Sequence, residues 1–271
     1  GRQVIILDNH RFVGDVGWRQ NQQTFDAASV LWKPLEHLEL YYAFVDNVNR
    51  VFGDDSPQGD HRMASSLVNA GYDFAGFGRL SGYAYLLDYD SVDSLSSNTL
   101  GLRFAGSHAL RKGELLYTAE YAAQTDAADN PNEVDQDYLL LELGAKACDF
   151  TLQASREVLG GSGDAGDAFQ TPLATLHGFN GWADKFLTTP DSGLQDFAIT
   201  LGKKIGAFDF KLVWHDFHAD SGGLDYGTEL DGSLTWKVAK KVVLGLKIAD
   251  YQADDFATDT TKAWLWVAYV P

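Results

Sequence analysis

Apolar and polar residues alternate with a period of two along most of this chain. A strand is the backbone that sends successive side chains to opposite faces, so this pattern constrains the fold more than any other feature. In Phe208-Asp209-Phe210-Lys211-Leu212-Val213-Trp214-His215, apolar residues recur at every second place among mostly charged partners. Tyr226, Leu230, Leu234 and Trp236 likewise share one face, with Glu229, Asp231, Ser233 and Thr235 on the other. The same alternation runs through Leu38–Phe44, Leu100–Phe104, Leu115–Tyr121, Leu139–Ala145 and Val242–Ile248, and less regularly through 3–10, 22–33, 64–74, 79–90, 149–158, 194–205 and 261–270. Together these runs predict about fourteen strands, many near the roughly 9–11 residues that a tilted strand needs to cross a bilayer. No stretch approaches the roughly 18–20 consecutive apolar residues of a spanning helix.

Links between the runs fall into two groups. Short ones lie at Lys33–Glu36, Ala75–Gly78, Arg111–Gly113, Lys146–Cys148, Ile205–Ala207 and Ala239–Lys240. Longer ones lie at 11–21, 47–63, 91–95, 125–133, 159–193, 219–223 and 254–260. Alternating short turns and long loops are expected of an outer-membrane β-barrel, with the long loops outside. A soluble sandwich is the alternative, but its strands run nearer five or six residues, and the polar face here is too charged for a dry core. In a barrel the apolar face meets lipid and the polar face lines a wet lumen. Trp32, Trp214, Trp236, Trp264, Trp266 and Tyr269 are then expected in interfacial girdles.

Charge narrows the partners. The formal net charge of −17 argues against nucleic acid, which requires a basic surface. Asp54, Asp55 and Asp60, then Asp126, Asp129 and Glu133, then Asp254, Asp255 and Asp259 gather in long links. Such acidic outer loops can meet Ca²⁺ or Mg²⁺ at a lipopolysaccharide surface, although none has EF-hand spacing, and solvated loops are the simpler reading. A single cysteine, Cys148, excludes an intrachain disulfide and a multi-thiolate metal site. Alternation turns Arg103, Lys204, Lys211, Lys237 and Lys247 inward, with Glu39, Glu114, Glu120, Glu142, Glu157, Asp196, Asp209, Glu229 and Asp231. That mixture predicts a wall of ion pairs rather than a ring of one sign.

Two segments carry a more specific likeness. One is Gly1-Arg2-Gln3 with Arg11-Phe12-Val13-Gly14 and the run Gly17–Ala27; the other is Phe169–Leu187, containing His177-Gly178-Phe179-Asn180-Gly181-Trp182-Ala183-Asp184-Lys185. Both resemble the alginate-export family of outer-membrane porins. The resemblance implies a monomeric antiparallel barrel passing polar, often anionic, solutes, with relatives that export alginate through an arginine-lined conduit. Family barrels have about eighteen strands, so about four N-terminal strands would be absent here; alternatively a smaller, even-numbered barrel closes directly. The chain begins at Gly1 without a leader, which fits either a removed signal peptide or, as expected here, a start inside a longer chain.

Residues 1–271 are therefore expected to form one outer-membrane barrel, contacting lipid and lipopolysaccharide and passing a small polar or anionic solute. Solute contacts are expected at Arg2, His10, Arg11, Arg19, Gln20, Asn21, Arg103, His177, Asn180, Trp182, Asp184, Lys185, Lys204 and Lys211. Guanidinium groups suit carboxylates, and amides suit hydroxyls. The same residues can instead brace the inserted loops through Arg–Asp and His–Asp bonds. Catalysis is not expected: His215 and His218 fall on opposite strand faces, and no G-x-S-x-G elbow is present. Alternatives are an alginate-type exporter and an outer-membrane hydrolase or plugged structural barrel.

Overall fold

The computed structural model describes residues 1–53 and 55–269. Fourteen antiparallel strands follow one another in a single sheet whose spatial order is the chain order. They are β1 (Arg2–Gln3), β2 (Thr24–Leu35), β3 (Leu38–Asn49), β4 (Asp60–Phe74), β5 (Gly78–Leu87), β6 (Ser97–Leu110) and β7 (Gly113–Asp126). They continue as β8 (Asp135–Ala147), β9 (Phe150–Leu159), β10 (Leu194–Ile205), β11 (Phe208–His218), β12 (Asp225–Ala239), β13 (Val242–Ala253) and β14 (Thr260–Tyr269). Every neighbour is a hairpin partner, which is the meander that links of two kinds predict. Turns at 36–37, 75–77, 111–112, 148–149, 206–207 and 240–241 close one end, and longer links at 50–59, 88–96, 127–134, 160–193, 219–224 and 254–259 close the other. Among the described residues β1 and β14 each pair on one side only, and no helix is long and apolar enough to cross a membrane.

The two faces of the sheet differ as the alternation requires. Leu100, Leu102, Leu141, Leu143, Leu152, Leu201, Leu212 and Leu230 stand exposed on the outer face. So much contiguous apolar surface is unstable in water and suits the acyl interior of a bilayer. On the inner face Tyr83, Tyr138, Phe217 and Tyr251 are buried, yet they lie on strands far apart in the sheet. One pair of inserted segments covers them all, which a sheet can arrange only by curling into a barrel wall.

Two expectations are corrected. The alternation at 3–10 yields a strand only at Arg2–Gln3. Ile5 and Leu7 are buried, but Asp8 leaves the ladder with a positive φ of 48°. Its carboxylate accepts from Asn69 at 2.6 Å and Ser81 at 2.7 Å, drawing the chain inside the barrel. Trp264 and Trp266 also leave the proposed girdle. They share the inner face of β14 with Lys262, while Leu265 is 82% exposed on the other. Among the described residues no group of three His, Cys, Asp or Glu side chains is placed to hold a metal ion. Asp54 lies outside the described residues.

Candidate functional site

Residues 4–23 and 160–193 both leave the long-loop end of the wall and meet inside it. Val13 pairs with Leu173 as an isolated parallel bridge. Around it Gly14 N–H donates to the Leu173 carbonyl at 2.9 Å and Thr175 N–H to the His10 carbonyl at 3.1 Å. The Gln23 amide donates to both the Gly14 and Leu173 carbonyls, at 2.9 and 3.0 Å. Backbone groups that packing of the two segments would cut off from water are thereby paired. Phe12 packs against Tyr83, Tyr138 and Phe169, and Phe186 against Phe217, Tyr226 and Phe256. The result is a partition across the barrel.

Arg11 is its hub. The guanidinium is 2% exposed and donates to Glu157 at 2.6 Å, Thr171 at 3.2 Å and Asn180 at 3.0 Å, with the Phe179 ring 4.9 Å from its centre. Burial works against its charge, yet the Glu157 carboxylate and the Tyr138 ring hold its pKa above the ordinary arginine value. Asn180 passes the connection on, donating to Glu157 at 2.6 Å and to Asp196 at 3.1 Å. Asp196 meets His215 Nδ1 at 2.9 Å.

The next residues tether the partition to β12. Trp182 N–H donates to Asp231 at 3.0 Å and Ala183 N–H to Glu229 at 2.7 Å. Gly181 makes this approach possible: its φ is +84°, and a Cβ there would sit 2.4 Å from a Glu229 carboxylate oxygen.

A second latch closes on β13 and β14. His177 lies 2.5 Å from Asp184 through Nδ1 and 3.0 Å from the Lys247 ammonium through Nε2. An ammonium only donates, so Nε2 accepts and Nδ1 carries the hydrogen given to Asp184. Trp18 stacks on the imidazole at 3.7 Å, and Lys262 donates to the other Asp184 oxygen at 3.0 Å. Burial raises the Asp184 pKa, but His177 and Lys262 outweigh it and hold the carboxyl below its ordinary range.

The partition separates two chambers. The one at the long-loop end has a volume of about 420 Å³ and includes Trp18, Arg19, Arg50, Phe52, His61 and His177 in its lining. The other, about 290 Å³, lies towards the short turns among Glu142, Gln153, Asn180, Trp182, Lys211 and His215. Arg19, Arg50, Lys211 and Lys247 have no ion pair among the described residues. Lys211 and Lys247 instead face the Trp182 ring at 5.7 and 4.3 Å.

Of the residues expected at the site, Arg11, His177, Asn180, Trp182 and Asp184 build the partition, and Arg19 and Lys211 line its chambers. His10 lends its carbonyl and sits 3.6 Å from Asp15. Gln20 and Asn21 are exposed beside Arg19, and Lys185 packs 5.3 Å from the Tyr251 ring. Arg103 is spent on the wall, paired with Glu120 at 2.7 Å directly across the β6–β7 ladder. Two are not brought to the site. Arg2 pairs with Asp26, which lies on the face opposite the buried Phe25 and Ala27. Lys204 pairs with Asp209 at 3.4 Å near a short turn. Ion pairing is thus realised at Arg103 and Lys204 but not at Lys211 or Lys247. Trp18, Arg50, Tyr138 and Lys262 were not singled out from the sequence. Lys262 shares the inner face of β14 with Trp264, a face that the girdle reading of Trp264 hides.

The sequence matches no family model and no curated protein. Solved structures resemble it closely in shape. OccAB4 of Acinetobacter baumannii superposes with a TM-score of 0.81 at 14% identity, over 99% of this chain and 70% of that one. OccK11 (OpdR) of Pseudomonas aeruginosa gives 0.75 at 16%, over 99% and 76%. OpdK of Pseudomonas aeruginosa, solved with vanillate, gives 0.73 at 13%, over 99% and 73%. The curled meander, the lipid-facing band and these likenesses agree: the chain has the fold of an outer-membrane porin barrel.

Proposed function

We propose that the chain forms a passive channel of the bacterial outer membrane for small anionic or polar solutes, with the partition as its selectivity element. One observation carries this. The acidic groups of the partition, Glu157, Asp184, Asp196, Glu229 and Asp231, all hold internal donors. Arg19, Arg50, Lys211 and Lys247, on the chamber walls and at the latch, hold no carboxylate. The field a solute meets in the long-loop chamber, where Arg19 and Arg50 face a single carboxylate already held by Lys262, is then basic, although the whole chain is acidic. Passage of alginate-type polymers is a second reading. It is favoured by the fact that the two family-like segments, up to Gln23 and at 169–187, are the ones that build the partition.

Single-channel current in a planar bilayer under a salt gradient tests both. Open steps with a reversal potential on the anion side are expected. Block by alginate oligomers would support the second reading, and steps without block would leave the small-solute channel. Absence of steps from correctly folded protein, or cation preference, would overturn the proposal.

A further inference from the structure

The two ends of the wall carry opposite charge. In the longer links the only basic residues are Arg50 and Lys185, among acids that include Asp88, Asp90, Asp164, Asp220 and Asp254. The short turns with their flanking residues, 33–39, 73–79, 111–114, 146–149, 203–209 and 237–241, hold ten Lys and Arg against six Asp and Glu. This end is therefore net basic in a chain whose formal charge is −17.

Internal ion pairs take up only part of that charge. Arg79 pairs with Glu39 and Asp73, Lys33 with Glu39 and Lys204 with Asp209. Arg111, Lys112, Lys203 and Lys241 have no ion pair among the described residues. Two of these cations sit at lipid-facing rings. The Lys203 ammonium lies 3.8 Å from the centre of the Phe150 ring and donates to the Cys148 carbonyl at 2.8 Å. Phe150 and Phe210 are its partners across the two ladders, both exposed on the outer face. Lys241 lies 5.8 Å from the Tyr269 ring, which is 68% exposed. An aliphatic stem laid along apolar rings, with the ammonium at their edge, is how a lysine sits at the boundary between acyl chains and headgroups. The rings thus set the depth of the cations, and headgroup phosphates lie at that depth.

We infer that the short-turn end docks the anionic phospholipid headgroups of the leaflet it faces, with Arg111, Lys112, Lys203 and Lys241 contacting their phosphates. The inference rests on the membrane placement of the barrel and not on conduction. An acidic protein in the water beyond the turns would reach Arg111 and Lys112, but not Lys203, which Phe150 and Phe210 flank on the lipid face.

Electron spin resonance of the protein reconstituted in phosphatidylcholine vesicles, with a trace of spin-labelled phosphatidylglycerol or phosphatidylcholine, tests the inference. At low salt phosphatidylglycerol should be enriched at least about twofold over phosphatidylcholine in the motionally restricted fraction. In molar salt, where charges are screened within about 3 Å, the ratio should fall towards one. The combined variant Arg111→Gln, Lys112→Gln, Lys203→Gln and Lys241→Gln should lose the enrichment. Arg156→Gln, on the outer face of β9 near the long-loop end, should keep it. Heat-modifiable mobility on a denaturing gel verifies that each variant is folded; should the combined one fail to fold, Lys203→Gln with Lys241→Gln is expected to reduce the enrichment by about half. Equal restriction of both lipids by the native protein would overturn the inference and leave the basic end to an acidic protein. Enrichment that survives in the folded lysine variants, or that Arg156→Gln abolishes, would overturn it as well. No restricted component from either lipid would overturn the membrane placement itself and the inference with it.

Discussion

Removing the Arg11 guanidinium would leave the Glu157 carboxylate buried without its cation. Breaking a buried ion pair in this one-sided way typically costs about 3–5 kcal/mol. Arg11→Leu should therefore lower the thermal midpoint in detergent markedly, and Arg11→Leu with Glu157→Leu should recover a large part of the loss. Additive losses in the double variant would show that the pair is not coupled. Arg11 is also too buried to meet a solute, whereas Arg19 lines the long-loop chamber. Asp184 gives a pH-dependent counterpart. Its folded pKa lies below the ordinary value of about 3.9, so its contribution is fully present above that value and disappears as pH falls through the folded one. The midpoint difference between the native protein and Asp184→Asn should be constant above about pH 5 and shrink in stronger acid. A difference that grows on acidification would contradict the latch.

Among the elements, the long strands largely follow the two-residue period, because a wall between lipid and water reads its alternation out residue by residue. An irregularity in the ladder at Tyr226 resets it, so that Tyr226 turns inward although Leu230, of the same phase, faces outward. The period fails where a segment packs on something other than a ladder. Residues 4–7 alternate as a strand would, yet bury Ile5 and Leu7 against the inside of the barrel. The partition was legible only in part for a related reason. Its side-chain types are distinctive, but its contacts join residues far apart in the chain, such as Arg11 with Asn180 across 169 positions, and no local pattern encodes such a pairing. The Val13–Leu173 bridge makes the rigidity of the two segments testable. With Cys148→Ser, the pair Val13→Cys and Leu173→Cys should form a disulfide under mild oxidation, since bridge partners lie within its geometric range. Conductance should be the same before and after reduction. A large rise on reduction would mean that passage requires the segments to part.

Over the whole molecule, the same alternation divides two solvents. Leu141 lies midway along β8 on the lipid face, and Gln153 lies on the inner face of β9, bonded to Glu142. Leu141→Arg should destabilise the membrane-inserted protein by about 2–4 kcal/mol and reduce yield in vesicle reconstitution, whereas Gln153→Arg should be tolerated. Equal behaviour of the two variants would contradict the assigned faces. The chain order of the sheet has a kinetic consequence as well. Every wall contact joins neighbouring hairpins, while Arg11 finds Glu157 across 146 positions. Local pairings form early and distant closures late, so the wall assembles before the partition does. The molecule is born as a bare wall and acquires its partition last.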